Sequence, residues 1–342
     1  MTTRPYQRVA NIVVPPGLSL HYARVDAPGD DPAPEPGVLD VAVLDMHHGY
    51  PNLGHASIVE TVLNLAHLER REREESAPGV RVISYDVRGR GAVPRGPAAR
   101  FRLVVGTGGP GAVDPRLNDG VSPGSQGIHE DPSWFAPLFR FFDDVLATPS
   151  TSFLGICHSF GLLAMWSGVA SPVFRSELKG GKSHGVVGNE LTNEARSHPF
   201  FAGFWNDNGG SGIRVLDSRL YDLIVTGRPG AALLAFEEAT ADGPADAVTM
   251  IEIARHAGGV LPRIWGVNHH PEIGDKGLQR ERLDRMAQYG EVSEAWVTER
   301  REALEAWNHS AAAEHGLQRT SAWTFEMPVA ELLGRALDDG PG

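Results

Sequence analysis

The sequence predicts an α/β protein: an open, mostly parallel sheet with helices on both faces, an antiparallel extension and a helical C-terminal tail. Three observations lead there. Over the first half of the chain, short apolar runs bounded by glycine alternate with amphipathic stretches of helical period. Between residues 186 and 268 the apolar runs follow one another with only short turns between them. Beyond Gly277 the helical period returns.

Taken in order, residues 10–14 and 18–22 read as two short strands about Pro15-Pro16-Gly17, and the Pro- and Asp-rich stretch to Gly37 as a loop. Residues 1–37 are an N-terminal extension on this reading. Residues 38–46 (VLDVAVLDM) form a compact apolar run, the signature of a buried parallel strand. Residues 57–75 carry Ile58, Val62, Leu65 and Leu68 at helix spacing and end in a solvated charge run. Strands follow at 80–86 and 101–107, a helix at 134–146, a strand at 152–156 and a helix at 160–169. Strands are then expected at 186–191, 212–217, 221–226, 231–238, 247–254 and 263–268. The domain spans 38–275 and a helical extension 276–342. In that extension Leu278, Leu283, Met286 and Tyr289, then Trp296, Leu304 and Trp307, mark apolar faces suited to a core or to pairing of two copies.

Composition narrows the function. The 342 residues carry 31 Lys+Arg against 43 Asp+Glu, a net charge of −12. An acidic surface argues against nucleic acid as a partner. No run approaches the ~18 apolar residues of a membrane span, and the N-terminus lacks a signal-peptide core, so a cytoplasmic protein is expected. The single cysteine excludes an internal disulfide and Cys-rich zinc sites. His47, His48, His55, His269 and His270 with Asp45 lack the spacing of a metal site, and neither a metal nor a cofactor is expected.

Cys157 stands between an apolar strand and an apolar helix, in Gly155-Ile156-Cys157-His158-Ser159-Phe160-Gly161. It reads equally as a small core residue or as a nucleophile displayed at a strand-to-helix turn, where a helix N-terminus favours a thiolate. His270-Pro271-Glu272 ends another strand, either as a polar loop or with Glu272 orienting His270. Thr107-Gly108-Gly109-Pro110-Gly111 ends a third, as a simple turn or as a source of N–H groups for an oxyanion. Parallel strands bring such ends to one crevice.

In this order, strand-GGPG, GICxxxG and HPE, the sequence resembles the class I glutamine amidotransferase family from about Val38 to Glu272. The resemblance implies a flavodoxin-like fold and a catalytic triad of Cys157 as nucleophile, His270 as base and acid, and Glu272 as its orienter. It implies an oxyanion hole at the backbone of Gly109 and His158, and substrate contacts at Gly108, Ser159, Gly161, Ser218 and Arg219. It departs from the family at Ser159, where Gly is usual, and at Gly161, where a glutamine-positioning Gln is usual. Asp217 replaces a usual His, and Arg219 offers a carboxylate grip or is a surface charge. The chemistry implied is amide hydrolysis or acyl transfer through an acyl-enzyme on a small carboxylate-bearing substrate, glutamine by default. No Walker-type loop is present, so a separate synthetase or ammonia-accepting partner would be needed. The helical tail gives a thinner resemblance to homoserine O-acyltransferases, which would use acyl-CoA. A third alternative is a non-catalytic binding or regulatory subunit of the same fold.

Overall fold

A computed structural model describes residues 12, 20–73, 77–175, 181–209, 212–227, 230–239, 245–288, 290, 292–306 and 311–340. The Pro15–Gly17 turn, most of the first expected strand, Tyr289 and Trp307 lie outside the described residues.

The strands are β1 (Leu20–Val25), β2 (Val38–Asp45), β3 (Gly79–Asp86), β4 (Phe101–Gly106), β5 (Ser152–Ile156), β6 (Ala170–Phe174), β7 (Ser183–Leu191), β8 (Gly212–Arg219), β9 (Tyr221–Val225), β10 (Ala232–Glu237), β11 (Val248–Arg255) and β12 (Pro262–Val267). The helices are α1 (Gly54–Arg71), α2 (Val87–Arg90), α3 (Phe135–Ala147), α4 (His158–Ser167), α5 (Asn193–Ser197), α6 (Phe201–Asp207), α7 (Lys276–Gln288), α8 (Glu294–Ala306), α9 (Ala311–Ser321) and α10 (Met327–Asp339).

Among the described residues ten strands form one sheet in the order β1-β3-β2-β4-β5-β12-β11-β10-β7-β8. The first six are parallel to their neighbours and the rest pair antiparallel, as expected. The parallel strands are buried on both faces because successive side chains point to opposite sides. Val41, Val43, Leu103, Val105, Leu154 and Ile156 pack on one face with Ile58 and Val62 of α1 and Val329 and Leu333 of α10. Ala42, Leu44, Val104 and Phe153 pack on the other with Leu138 and Phe142 of α3 and Leu162 of α4.

Three details differ from the expectations. β1, assigned to an N-terminal extension, is an edge strand of the main sheet, and Arg81 and Arg100 tie the loop after it through Asp31, Ala33 and Glu35. β9 does not join the sheet; it pairs with β6 in a separate two-stranded ribbon. Pro172, which cannot donate a ladder hydrogen bond, had hidden β6 in the sequence, and such an edge tolerates it. Helices α5 and α6, short and unpatterned, were not anticipated; Thr192 caps the first through the Ala195 N–H, and Phe201 and Phe204 anchor the second. The tail is helical as expected and packs on the domain: α10 covers α1, and Leu304 of α8 is buried. Among the described residues no helix is long and apolar enough to cross a membrane.

Candidate active site

Cys157 adopts φ 48°, ψ −99°, a left-handed conformation that a non-glycine residue holds only under constraint. The constraint comes from both sides. Its N–H donates to the Val267 carbonyl (2.8 Å), and α4 turns back tightly over β5. A Cβ on Gly155 would lie 2.7 Å from Leu163 Cδ1 and 3.0 Å from the Phe160 nitrogen, so only glycine permits the elbow. The thiol is half-buried at the entry of α4.

Strands β5 and β12 are parallel neighbours with Ile156 opposite Val267, so the segments leaving them emerge side by side. The His270 N–H donates to the Leu216 carbonyl (2.8 Å), which fixes its backbone. Its Nδ1 lies 2.8 Å from Glu272 Oε1, and the Glu272 side chain is only 1% exposed. Burial pulls the His270 pKa down, but the Glu272 carboxylate and the Cys157 thiol outweigh it and raise it well above the ordinary value. His269, pointing the other way, is buried against Thr324 (Nε2···Oγ1 3.1 Å), and burial with the neighbouring His270 lowers it to about 3.

The glycine loop after β4 completes the cleft. A Cβ on Gly108 would lie 2.8 Å from His270 Cε1 and 3.5 Å from Cys157 Cβ; one on Gly109 would lie 2.2 Å from the Met46 carbonyl oxygen. Both positions therefore require glycine for close approach. Arg88, fully buried, donates to the Pro110 and Met46 carbonyls (2.8 and 2.9 Å) while forming a bidentate pair with Glu130 (both 2.8 Å). Gln126 accepts from the Gly111 N–H (3.0 Å), and the Thr107 hydroxyl donates to the Gly108 carbonyl (2.8 Å).

Cys157, His158, Gly109, Ser218, Arg219 and His270 line one cavity of about 380 Å³. A second lobe of about 260 Å³ shares His47, Ser218 and His270 with it and reaches Asp217 and Glu272. Gly108, Ser159 and Gly161 do not line either lobe. Ser159 is fully buried and its hydroxyl donates to the Thr107 carbonyl (2.8 Å), so it braces the glycine loop instead of facing a substrate. Gly161 lies under Val113, whose methyls would be 2.8 and 2.9 Å from a Cβ there. The carboxylate grip expected of Arg219 is also corrected: the guanidinium is buried and already meets Asp222 (3.1 Å), Asp217 (3.4 Å) and Glu237.

The structure adds residues that sequence reasoning missed. Lys182 and, from α8, Trp296 and Arg300 line the cavity. The four-residue spacing of the last two was the one available signal, since it places them on one helix face. His47 is oriented by Asp45 (Nδ1···Oδ1 3.0 Å) and lines both lobes.

No family model and no curated protein sequence matches the chain. Solved structures of similar fold include a glutamine amidotransferase from Thermotoga maritima, 18% identical over 85% of this chain and 98% of that one, with a TM-score of 0.49. Another is a glutamine amido transferase from Methylobacillus flagellatus, 13% identical over 88% and 93%, with a TM-score of 0.47. A third, from Thermoplasma acidophilum and assigned to a GMP synthase, is 16% identical over 74% and 96%, with a TM-score of 0.41.

Proposed function

We propose that the chain is a cysteine enzyme that hydrolyses an amide or transfers its acyl group through a thioester on Cys157. One observation carries the reading: a cysteine held at φ 48° on a strand-to-helix elbow shares a cavity with a histidine whose far nitrogen is bound by a buried carboxylate. A core cysteine needs neither the strained backbone nor the dyad.

The Cys157 sulfur attacks the carbonyl carbon, and the oxyanion forms within reach of the Gly109 and His158 backbone N–H groups. The carbon–nitrogen bond breaks, His270 gives its proton to the leaving amine, and the acyl group stays on sulfur. Water or a second nucleophile then attacks the thioester while His270 takes its proton; the thiolate leaves and the cycle closes. Glu272 holds His270 in the orientation that serves both steps. Glutamine suits a cavity of this size and is the first substrate to test. Ammonia so released would need an acceptor, on this chain or on a partner.

The test is ammonia release from glutamine and other small amides by the wild type beside Cys157→Ala, with mass spectrometry for an acyl adduct. Release and an adduct that vanish in the variant support the reading. A folded wild type with no adduct from any amide or thioester donor overturns it. Turnover of acyl-CoA thioesters alone moves the reading to an acyltransferase on the same residues.

A further inference from the structure

The larger lobe of the cleft has a charge pattern opposite to that of the whole protein. The chain carries a net charge of −12, yet none of the described residues lining this lobe is Asp or Glu. Its charged lining consists of Lys182, Arg219 and Arg300, with His270 held toward its protonated form. Arg219 is neutralised by Asp217, Asp222 and Glu237. Lys182 and Arg300 are different. Among the described residues no carboxylate is within ion-pair distance of Lys182. The carboxylate that Arg300 meets, Glu299 (2.7 Å), is 67% exposed and adjacent in sequence, so it is easily exchanged for a ligand.

Arg300 is also placed. Its guanidinium lies over the Trp296 ring at 5.2 Å, one helical turn away, and both side chains line the lobe that contains Cys157. A planar guanidinium held on an aromatic face loses less freedom on binding a carboxylate than a free one. Lys182 and Arg300 line both lobes, and both bear electrostatically on His184, as Asp217 of the smaller lobe does in the opposite sense, so the two cations act in the same neighbourhood. A lobe whose charged lining is of one sign, with low-dielectric walls, concentrates counter-charged ligand.

We propose that Lys182 and Arg300 form an anion-binding subsite of the Cys157 cleft, and that the substrate carries a carboxylate remote from the carbonyl under attack. Helix α8, from the C-terminal extension, thereby supplies the specificity that Arg219 cannot. The inference rests on the reading of Cys157 as the reacting group, and the experiment separates the two.

The probe is a pair of alkylating agents with one reactive group: iodoacetyl-β-alanine and its methyl ester. Cys157 is the only thiol, so mass spectrometry reads its labelling alone. In the wild type the acid should label about tenfold faster than the ester, the scale of one charge-assisted contact. Arg300→Gln and Lys182→Gln should each lower that ratio severalfold, and the pair together should bring it to the ratio of the urea-unfolded chain. Each rate is taken relative to the uncharged ester on the same protein, so a change in the thiol itself cancels, and ester labelling still faster than in the unfolded chain shows an intact cleft. Added salt should shrink the wild-type ratio. Rapid labelling by both agents with a ratio indifferent to the two substitutions overturns the subsite alone. Labelling of the folded wild type no faster than that of the unfolded chain by either agent overturns the reading of Cys157, and the subsite with it.

Discussion

Val113 seals the place where a longer side chain at Gly161 would enter the cleft: a Cβ on Gly161 would lie 2.8 Å from Val113 Cγ1 and 2.9 Å from Cγ2. The absence of a side chain at 161 is therefore matched by an apolar residue brought from another loop, and the two positions form one unit of packing. Gly161→Ala should destabilise the protein by about 1–2 kcal/mol, because overpacking outweighs the helix-propensity gain of Ala. Gly161→Ala with Val113→Ala should recover most of that relative to Val113→Ala alone. Urea unfolding of the four proteins gives the coupling energy; additive effects would refute the contact.

Gly108 should be indispensable to activity while contributing little to stability. Ala at this position pushes His270 away from Cys157, since the added carbon falls 2.8 Å from Cε1. A displacement near 1 Å costs on the order of 10²-fold in rate. Turnover, or Cys157 alkylation where no substrate is yet known, should fall by that order. The melting temperature should stay within a few degrees.

The Arg88–Glu130 pair should be the most sensitive structural element under the site. Both side chains are fully buried, and Glu130 also receives Asn118 Nδ2 (2.7 Å) and Trp134 Nε1 (3.0 Å). Arg88→Ala leaves that carboxylate uncompensated and frees the Pro110 and Met46 carbonyls. The expected loss is about 3–5 kcal/mol. Chemical unfolding measures it, and a loss below about 1 kcal/mol would contradict the assignment.

Stability should fall as pH rises above about 6.5, the His value in an unfolded chain. Folding raises the proton affinity of His270 through Glu272 and Cys157 against the opposing effect of burial. Its contribution is fully present below the unfolded value and is lost as pH rises through the folded one. Unfolding free energies from pH 6 to 9 should show this slope in the wild type and a shallower one in Glu272→Gln.

On the acid side, His55 and His269 should act in the opposite sense. Burial lowers His55 to about 4, where it contacts the Ser84 hydroxyl, and lowers His269 to about 3. Both take up a proton more readily in the unfolded chain, so their contribution is present above pH ~6.5 and is lost as pH falls toward those values. For His55 the full loss is of order 3 kcal/mol. His55→Asn should flatten the acid limb of the stability profile between pH 6.5 and 4.

Much of the architecture was legible because the physics is local. A compact apolar run such as residues 38–46 has few fates other than a strand buried on both faces, and Cys157, His270 and Gly109 each follow such a run. Parallel strands then deliver their ends to one edge. The contact of His270 with Glu272, two residues further on, needed nothing that the sequence conceals. Arg219 was misread because its neutralising partners Asp222 and Glu237 lie on β9 and β10, and nothing at position 219 announces them.

The sequence by itself determined the fold class and the strand-to-helix elbow at Cys157, consequences of short-range periodicity and backbone preference, and placed Glu272 close enough to His270 for the pairing that the structure shows. Only the tertiary structure decided what surrounds them. It set Val113 over Gly161, turned Ser159 onto the Thr107 carbonyl, and laid α8 with Trp296 and Arg300 over the cleft that holds Gly109 and Cys157, more than a hundred residues earlier. The reason is that such contacts come from the burial of whole faces and the pairing of remote charges, which depend on where distant segments dock and leave no periodic trace in the residues that meet.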